Sequence, residues 1–180
     1  AIDLLIEARD AINANPISDD FTSNVLGFEI NLLKSINAYL SRYSLMLDEY
    51  NDAITHADAV LNDGSGPASS LFSFDANNVN PIWFRINPAA PDLKPQLNFG
   101  LVGSYIPELG DGRVDFYLGD SAGTANADAG GQLLSQALGF WAASTTAIPI
   151  YLDGEMLLNK AEAHARLNQL SEAVTNLNLV

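Results

Sequence analysis

Apolar positions recur every three to four residues over the first 63 residues, which is the period of an amphipathic α-helix. A first helical face predicts a helix that ends before Pro16, and it consists of Ile2, Leu5, Ile6, Arg9 and Ile12. A second face predicts a helix of about five turns, and it consists of Leu32, Leu33, Ile36, Leu40, Tyr43 and Leu47. A third face consists of Tyr50, Ala53, Ile54, Ala57, Val60 and Leu61. The segment 62–64 ends this helix, because its glycine can adopt the left-handed cap conformation.

The helical pattern resumes near the carboxyl end of the chain. Asp153 is the predicted N-cap of a helix that continues to Leu167, and residues 168–170 form the following turn. Ser171 is then the predicted cap of a last helix. The apolar stripe of that helix consists of Leu170, Ala173, Val174 and Leu177. The sequence therefore predicts a helix hairpin over residues 153–180.

Residues 65–152 have a different pattern, with seven of the eight prolines and ten of the thirteen glycines. Long helices are not expected in such a span. One short strand is predicted over Pro81–Asn87, where β-branched and aromatic residues follow a proline. Eleven of the sixteen aromatic residues also lie in the span, whereas disordered segments are poor in them. We expect an ordered, loop-rich insertion with little strand.

Composition narrows the possible functions. The 180 residues include 22 acidic and 8 basic ones, for a net charge of −14, and the basic residues are scattered along the chain. This charge disfavours nucleic acid and anionic membranes as partners. The chain has no cysteine, which excludes a thiol nucleophile and a disulfide framework. Both ends fall inside helical patterns, so we expect a single domain or a fragment of one, from a longer precursor.

Two segments, Asp48–Ile54 and Asn168–Val174, can be superimposed as a repeat. Each places a polar turn before an apolar anchor, an acidic residue, an alanine and a β-branched residue. This order is typical of the turn in tetratricopeptide (TPR) helix hairpins, in which the small alanine lets two helices approach closely. The sequence predicts a mainly α protein built of TPR-like hairpins, an α–α superhelix, interrupted by the loop-rich aromatic insertion.

Four segments resemble motifs of the SusD/RagB family of bacterial outer-membrane nutrient-capture lipoproteins. Ala53–Gly64 resembles the family's Ala-rich hairpin end, and Asn80–Phe84 resembles its strand after that hairpin. Asp111–Tyr117 resembles its D-x-R-x-D-F/Y element. The most specific match is Glu155–Leu167 to the pattern E-x-x-L-x-x-A-E-A-x-A-R-L.

This resemblance implies a single SusD-like domain or a fragment of one, in which residues 1–63 are helical, residues 65–152 are loop-rich and residues 153–180 form a C-terminal hairpin. It also implies a surface lipoprotein of the outer membrane, whose anchor would lie outside these residues. Such a protein binds an oligosaccharide or another nutrient beside a TonB-dependent, SusC-like transporter. No cofactor is expected.

Sugar rings present apolar C–H faces, so glycan sites use exposed aromatic rings with nearby polar groups. The candidates are Trp141, Tyr105, Tyr117 and Trp83, all in the loop-rich span. Trp83 lies in the strand candidate, which favours a place in the core. For Trp141 a core role and a ligand role are balanced, and loop tyrosines more often serve packing.

Catalytic and metal chemistry find little support. Glu155 and Glu162 share one helical face about 10 Å apart, but they cannot flank a substrate from opposite sides as glycosidase carboxylates do. Glu162 is instead expected to be a structural hydrogen-bond acceptor for neighbouring backbone or for Arg166. His56 and His164 lack partners at triad or metal spacing. The segment Asp120–Asp128 lacks the bidentate glutamate of a calcium loop. We therefore expect a binding protein, not an enzyme.

The alternative hypothesis is a TPR-type adaptor that binds proteins or peptides in a groove. Such grooves commonly carry a clamp of basic and amide side chains for a peptide carboxylate. The helices offer only a few basic residues for one, namely Lys34, Arg42, Lys160 and Arg166.

Overall fold

Helices make up most of the regular structure, and the strands are short. The computed structural model describes residues 1–27, 29–62, 64, 69–86, 94–119, 126–127 and 133–180. Two compact units are present, one of residues 1–72 with 149–180 and the other of residues 73–148. No described helix combines the length and the apolar character needed to cross a bilayer.

The first unit contains the long helices and one pair of strands. The helices are α1 (Ile2–Ala14), α2 (Asp19–Phe21), α3 (Leu32–Met46), α4 (Tyr50–Leu61), α7 (Asp153–Arg166) and α8 (Leu170–Leu177). Strands β1 (Ser70–Phe72) and β6 (Ile148–Tyr151) pair with each other. Helix α3 packs on α1, α4 and α7, α4 also packs on α7, and α7 packs on α8.

The second unit contains only short elements. They are α5 (Pro81–Ile86), α6 (Gly112–Tyr117), β2 (Leu118–Gly119), β3 (Asn126–Ala127), β4 (Leu133–Leu134) and β5 (Gln136–Ala137). Strand β2 pairs antiparallel with β5, and β3 pairs antiparallel with β4. The prediction of a mainly helical protein with a loop-rich insertion and little strand is confirmed at this level.

The core of the first unit combines small side chains with two large ones. Ala38, Ala57, Val60, Tyr151 and Met156 form its buried cluster. Alanines at the helix contacts let the helices approach closely. A larger side chain at such a buried position would overpack the core. All five members of the predicted face of α1 are half-buried, and the helix ends at Ala14, before Pro16. The predicted face of α4 is buried or half-buried throughout.

The two repeat segments adopt the same backbone turn. Asp48 and Asn168 have left-handed φ values of 63° and 60°. The next amide donates back across the turn in both copies: Glu49 N–H to Ser44 O at 2.9 Å, and Gln169 N–H to His164 O at 2.8 Å. This is the Schellman arrangement that ends a helix. The anchors predicted from sequence begin α4 and α8, and Ala53 and Ala173 are buried in the hairpins.

The strand predicted over Pro81–Asn87 is wrong, because residues 81–86 form helix α5. The Asn80 side-chain oxygen accepts hydrogen bonds from the amides of Ile82 and Trp83, both at 3.0 Å. Pro81 then occupies the first helical position, where its missing N–H costs nothing and its φ is already helical. The asparagine cap therefore outweighs the β propensity of the residues that follow.

The predicted helix starts near the C-terminus are also displaced. Leu152, not Asp153, is the residue before α7, and Gln169, not Ser171, precedes α8. The predicted stripe of α8 is only partly buried. Ala173 is covered, but Leu170, Val174 and Leu177 are each more than half exposed. Helix α8 packs on α7, and the buried residues of α8 are Ala173 and Asn176 rather than its larger apolar side chains.

Polar contacts tie α3, α4 and α7 together. Arg42 on α3 donates from Nε and Nη2 to the two carboxylate oxygens of Glu155 on α7, at 2.7 and 2.9 Å. Asn159 donates to Ser41 Oγ at 3.3 Å, and Ser41 donates to the carbonyl of Ala53 at 2.9 Å. This chain of bonds spans three helices and satisfies buried polar groups that would otherwise be costly.

Candidate functional site

Five aromatic rings gather in the second unit, and we call them the aromatic cluster. They are Phe99, Phe116, Tyr117, Phe140 and Trp141. Phe116 meets Tyr117 and Phe140 edge to face, with centroids 4.8 and 5.3 Å apart. The Tyr117 and Trp141 rings are tilted by 34° at 6.0 Å. Phe99 and Phe116 are 41% and 47% exposed, so the cluster is a packed group with aromatic surface open to solvent.

Short backbone pairings position the cluster. Strand β2 directly follows α6, which carries Phe116 and Tyr117, and pairs with β5. Ser135 Oγ donates to the Gly119 carbonyl at 2.7 Å, and the Leu138 amide donates to the Tyr117 carbonyl at 2.9 Å. These bonds bring the turn 139–141, which carries Phe140 and Trp141, against α6.

Gly139 makes that close approach possible. Its φ is +59°, a left-handed conformation that side chains with a Cβ rarely adopt. A Cβ built there would lie 2.8 Å from Cε1 of Phe116. The turn can therefore sit against the Phe116 ring only with glycine at this position.

Asn80 supports the same turn from α5. Its side-chain nitrogen donates to the carbonyls of Phe140 and Thr146, at 2.9 and 2.8 Å, and its own amide donates to Ser144 O. Asn80 is fully buried. The one side chain thus caps α5 through its oxygen and fixes the turn with Phe140 through its nitrogen.

A polar depression of about 590 Å³ lies along residues 104–111 and beside Arg113. Tyr105 stands at this depression with 76% of its surface exposed. Asp111 caps α6 by accepting from the Arg113 amide, and it also accepts from the Arg113 guanidinium at 2.6 Å. These bonds hold the pKa of the Asp111 carboxyl at about 2, and they raise the pKa of Arg113. An exposed ring beside fixed donors and acceptors is suited to stacking on a sugar and bonding its hydroxyls.

The structure brings together two of the four predicted site residues. Tyr117 and Trp141 contact each other within the aromatic cluster and are half-buried. Among the described residues, no ring contact joins Tyr105 or Trp83 to the cluster. Trp83 is half-buried on α5, so it does not lie in the core as its sequence context favoured.

Three members of the cluster were missed by the sequence analysis, namely Phe99, Phe116 and Phe140. The available signal was their position: Phe116 and Phe140 directly precede the two predicted residues Tyr117 and Trp141. Phe99 gives a weaker signal, since it lies beside Gly100 in a turn. Its φ of +57° is uncommon for a bulky residue, and such strain is often found at functional sites.

The carboxylates and basic residues of the helices have structural partners. Glu155 binds Arg42, and Glu162 binds Arg166 at 3.1 Å, as expected for the second pair. Lys160 binds Asp58 at 2.6 Å, which links α7 to α4, and Lys34 is buried. These four basic residues are therefore engaged within the first unit, which we call the helical unit.

The two histidines lie in different settings. His164 Nδ1 is 2.6 Å from Gln169 Oε1 across the turn before α8. His56 is half-buried on α4. In the described part of the chain, no three His, Asp or Glu side chains are grouped so that they could hold a metal ion. Most of the predicted surface loop 120–128 lies outside the described residues.

Sequence comparison does not assign the chain to a family. No family model matches the chain, and no curated protein is significantly similar to it in sequence.

Proposed function

We propose that this protein is a non-enzymatic nutrient-binding protein whose ligand is a glycan. The observation that carries the proposal is the aromatic cluster, which presents ring surface to solvent in a loop-rich unit. Aromatic faces bind sugar rings by burying their C–H surface, and the polar depression beside Tyr105 offers groups that bond hydroxyls. The scattered positive charge and the acid excess also suit a neutral ligand.

We also propose a more specific architecture for the helices of the first unit. The matched turns at Asp48 and Asn168, each followed five residues later by a buried alanine, support TPR-like hairpins in an α–α superhelix. Together with the SusD/RagB-like motifs, they support a surface lipoprotein of the outer membrane that works with a TonB-dependent transporter. Co-purification of the full-length protein with such a transporter from outer membranes is the test of this partner. Recovery in the cytoplasmic fraction alone would contradict it.

The glycan proposal is tested by a glycan array followed by calorimetry on the hits. Shallow, hydrated sites of this kind bind with micromolar to millimolar affinity, about −8 to −4 kcal/mol. Trp141→Ala and Tyr105→Ala should each weaken binding about fivefold or more, since a stacking aromatic ring contributes on the order of 1 kcal/mol or more. Phe84→Ala is the matched control, because Phe84 is 57% exposed but lies outside the aromatic cluster.

Three results would contradict the glycan proposal. If the folded protein binds no glycan, or if Phe84→Ala weakens binding as much as Trp141→Ala, the aromatic cluster is not the site. If peptides bind in preference to glycans, the adaptor hypothesis replaces the glycan one. The internal pairing of Arg42, Lys160 and Arg166 gives that hypothesis less support, because a peptide would have to displace existing carboxylate partners.

The proposal also includes the absence of catalysis. Incubation with assorted oligosaccharides should yield no cleavage products. Turnover that disappears in a folded Glu155→Gln protein would overturn the proposal. A Glu162→Gln protein is the control, since Glu162 lies on the same helix and also pairs with an arginine.

A further inference from the structure

A second depression, of about 320 Å³, lies among α1, α3 and α4 in the helical unit, and it is lined by other residues than the aromatic cluster. Its polar lining comes from all three helices: Arg9 and Asn13 from α1, Asn37 from α3, and Thr55 and His56 from α4. Arg9 contributes the single formal positive charge of this lining, in a molecule whose net charge is −14. We call it the Arg9 depression.

The Arg9 guanidinium has only a weak partner. Its Nε and Nη2 both contact the same oxygen of Asp10, at 2.9 and 2.8 Å. The Asp10 side chain is 59% exposed and adjacent in sequence, and exposed pairs of this kind contribute little free energy. A guanidinium fork prefers two carboxylate oxygens in its plane, and Asp10 supplies one. A ligand with a better geometry can displace it.

Two neighbouring side chains, Asn37 and His56, can donate hydrogen bonds to a ligand in the Arg9 depression. Asn37 is 6% exposed, and its side-chain nitrogen donates to the Leu33 carbonyl at 3.1 Å. His56 is half-buried, and no described residue forms a hydrogen bond with its ring. Burial first, and then the charge of Arg9, lower the pKa of His56, while Asp52 on its own helix acts in the opposite direction. The α3 lining residues, Leu33 and Asn37, carry no charge.

We propose that the Arg9 depression binds a monoanionic carboxylate. One guanidinium balances one negative charge, and its planar fork matches the two carboxylate oxygens. The imidazole and amide groups supply further donors around the anion. A dianion such as sulfate would leave one charge unbalanced inside an acidic protein. The site is independent of the proposed glycan function, since it uses other residues in the other unit.

Acetate is the probe, and the His56 ring signals in NMR are the readout. Acetate should shift these signals with a saturable, millimolar dependence and should raise the pKa of His56, because a bound anion favours the imidazolium. Arg9→Gln should weaken acetate binding at least tenfold. Asp10→Asn should strengthen it severalfold, because it removes the competing negative charge and leaves only a neutral amide oxygen beside the guanidinium. Arg166→Gln is the control, since it removes an exposed arginine paired on α7, outside the depression.

Three outcomes would overturn the proposal, given that far-UV circular dichroism shows each variant to be folded. The first is an equal shift with chloride at the same ionic strength, since that would be mere screening. The second is equal acetate binding by Arg9→Gln and Arg166→Gln, and the third is tighter binding of sulfate than of acetate. Acetyl-dialanine, which has a free C-terminal carboxylate, and its C-terminal amide, which has none, then distinguish the source of the carboxylate. If acetyl-dialanine binds more tightly than both acetate and the amide, the ligand is a peptide C-terminus. If acetyl-dialanine and acetate bind equally, the ligand is a small free acid.

Discussion

At the scale of single residues, the Ser41 hydroxyl on α3 connects three helices, since it accepts from Asn159 on α7 and donates to Ala53 on α4. Replacing Ser41 with alanine leaves the Asn159 amide and the Ala53 carbonyl without their buried partner. We expect the free energy of unfolding to fall by about 1–3 kcal/mol, measured by urea denaturation. Ser171→Ala is the control and should change it by less than about 0.5 kcal/mol. A cost of about 1 kcal/mol there would mean that Ser171 caps α8 after all.

The pKa of Asp111 gives a second test at this scale. The Arg113 guanidinium and amide hold it at about 2, below the ordinary value of 3.8. A lowered folded-state pKa stabilises the fold above about pH 3.8, and this contribution disappears as the pH falls through about 2. NMR titration of the carboxyl should show the low pKa, and Arg113→Gln should return it toward 3.8. An unchanged pKa in this variant would exclude the ion pair as the cause.

At the scale of elements, the turn 139–141 is predicted to depend on the absence of a side chain at Gly139. Gly139→Ala and Gly110→Ala both place a Cβ at a left-handed φ, which costs about 1–2 kcal/mol. Only the first also collides with the Phe116 ring, whereas a Cβ at Gly110 meets no described atom within 4 Å. Gly139→Ala should therefore cost about 1 kcal/mol more and should alter the near-UV circular dichroism of the cluster. Equal losses of stability in the two variants would mean that a Cβ at position 139 does not collide with the Phe116 ring.

The hairpin crossings give a matched pair on α8. Ala173→Trp should destabilise by about 1–3 kcal/mol or more through overpacking, and Ala53→Trp should do the same on α4. Val174→Trp, at the neighbouring position that is 55% exposed, should be near neutral. Thermal unfolding of the three variants measures the difference. A large loss in Val174→Trp would show that this face of α8 is covered in solution.

Regular elements were largely predictable from the sequence, because a buried helical face repeats every three to four residues. The faces of α1 and α4 and the two turns follow the pattern closely. The pattern failed where one polar side chain decided the outcome, as at Asn80, whose bonds to residues 140 and 146 are distant in sequence. It also failed on α8, because periodicity identifies which residues form an apolar stripe but not whether another element covers that stripe. For the same reason the aromatic cluster could be predicted only in part.

At the scale of the whole molecule, we expect charge repulsion to be the dominant electrostatic effect. The net charge is −14, and most of the described ion pairs have at least one partner that is a third or more exposed. Salt at about 0.15 M screens charges beyond about 8 Å, so it weakens long-range repulsion more than close, partly buried pairs. We expect the unfolding temperature to rise as NaCl increases from near zero to this value. A fall would mean that the ion pairs contribute more than repulsion removes.

The matched turns at Asp48 and Asn168 also affect how fast the helical unit forms. Each hairpin joins two helices that are consecutive in the sequence, so both can form early and independently. The contact of α4 with α7 must instead close the chain across the whole insertion, as the Asp58–Lys160 pair does over 102 positions, which makes loop closure costly. Folding kinetics should therefore separate the two steps. Substitutions in the turns should slow hairpin formation, whereas those between α4 and α7 should act mainly on the later docking step.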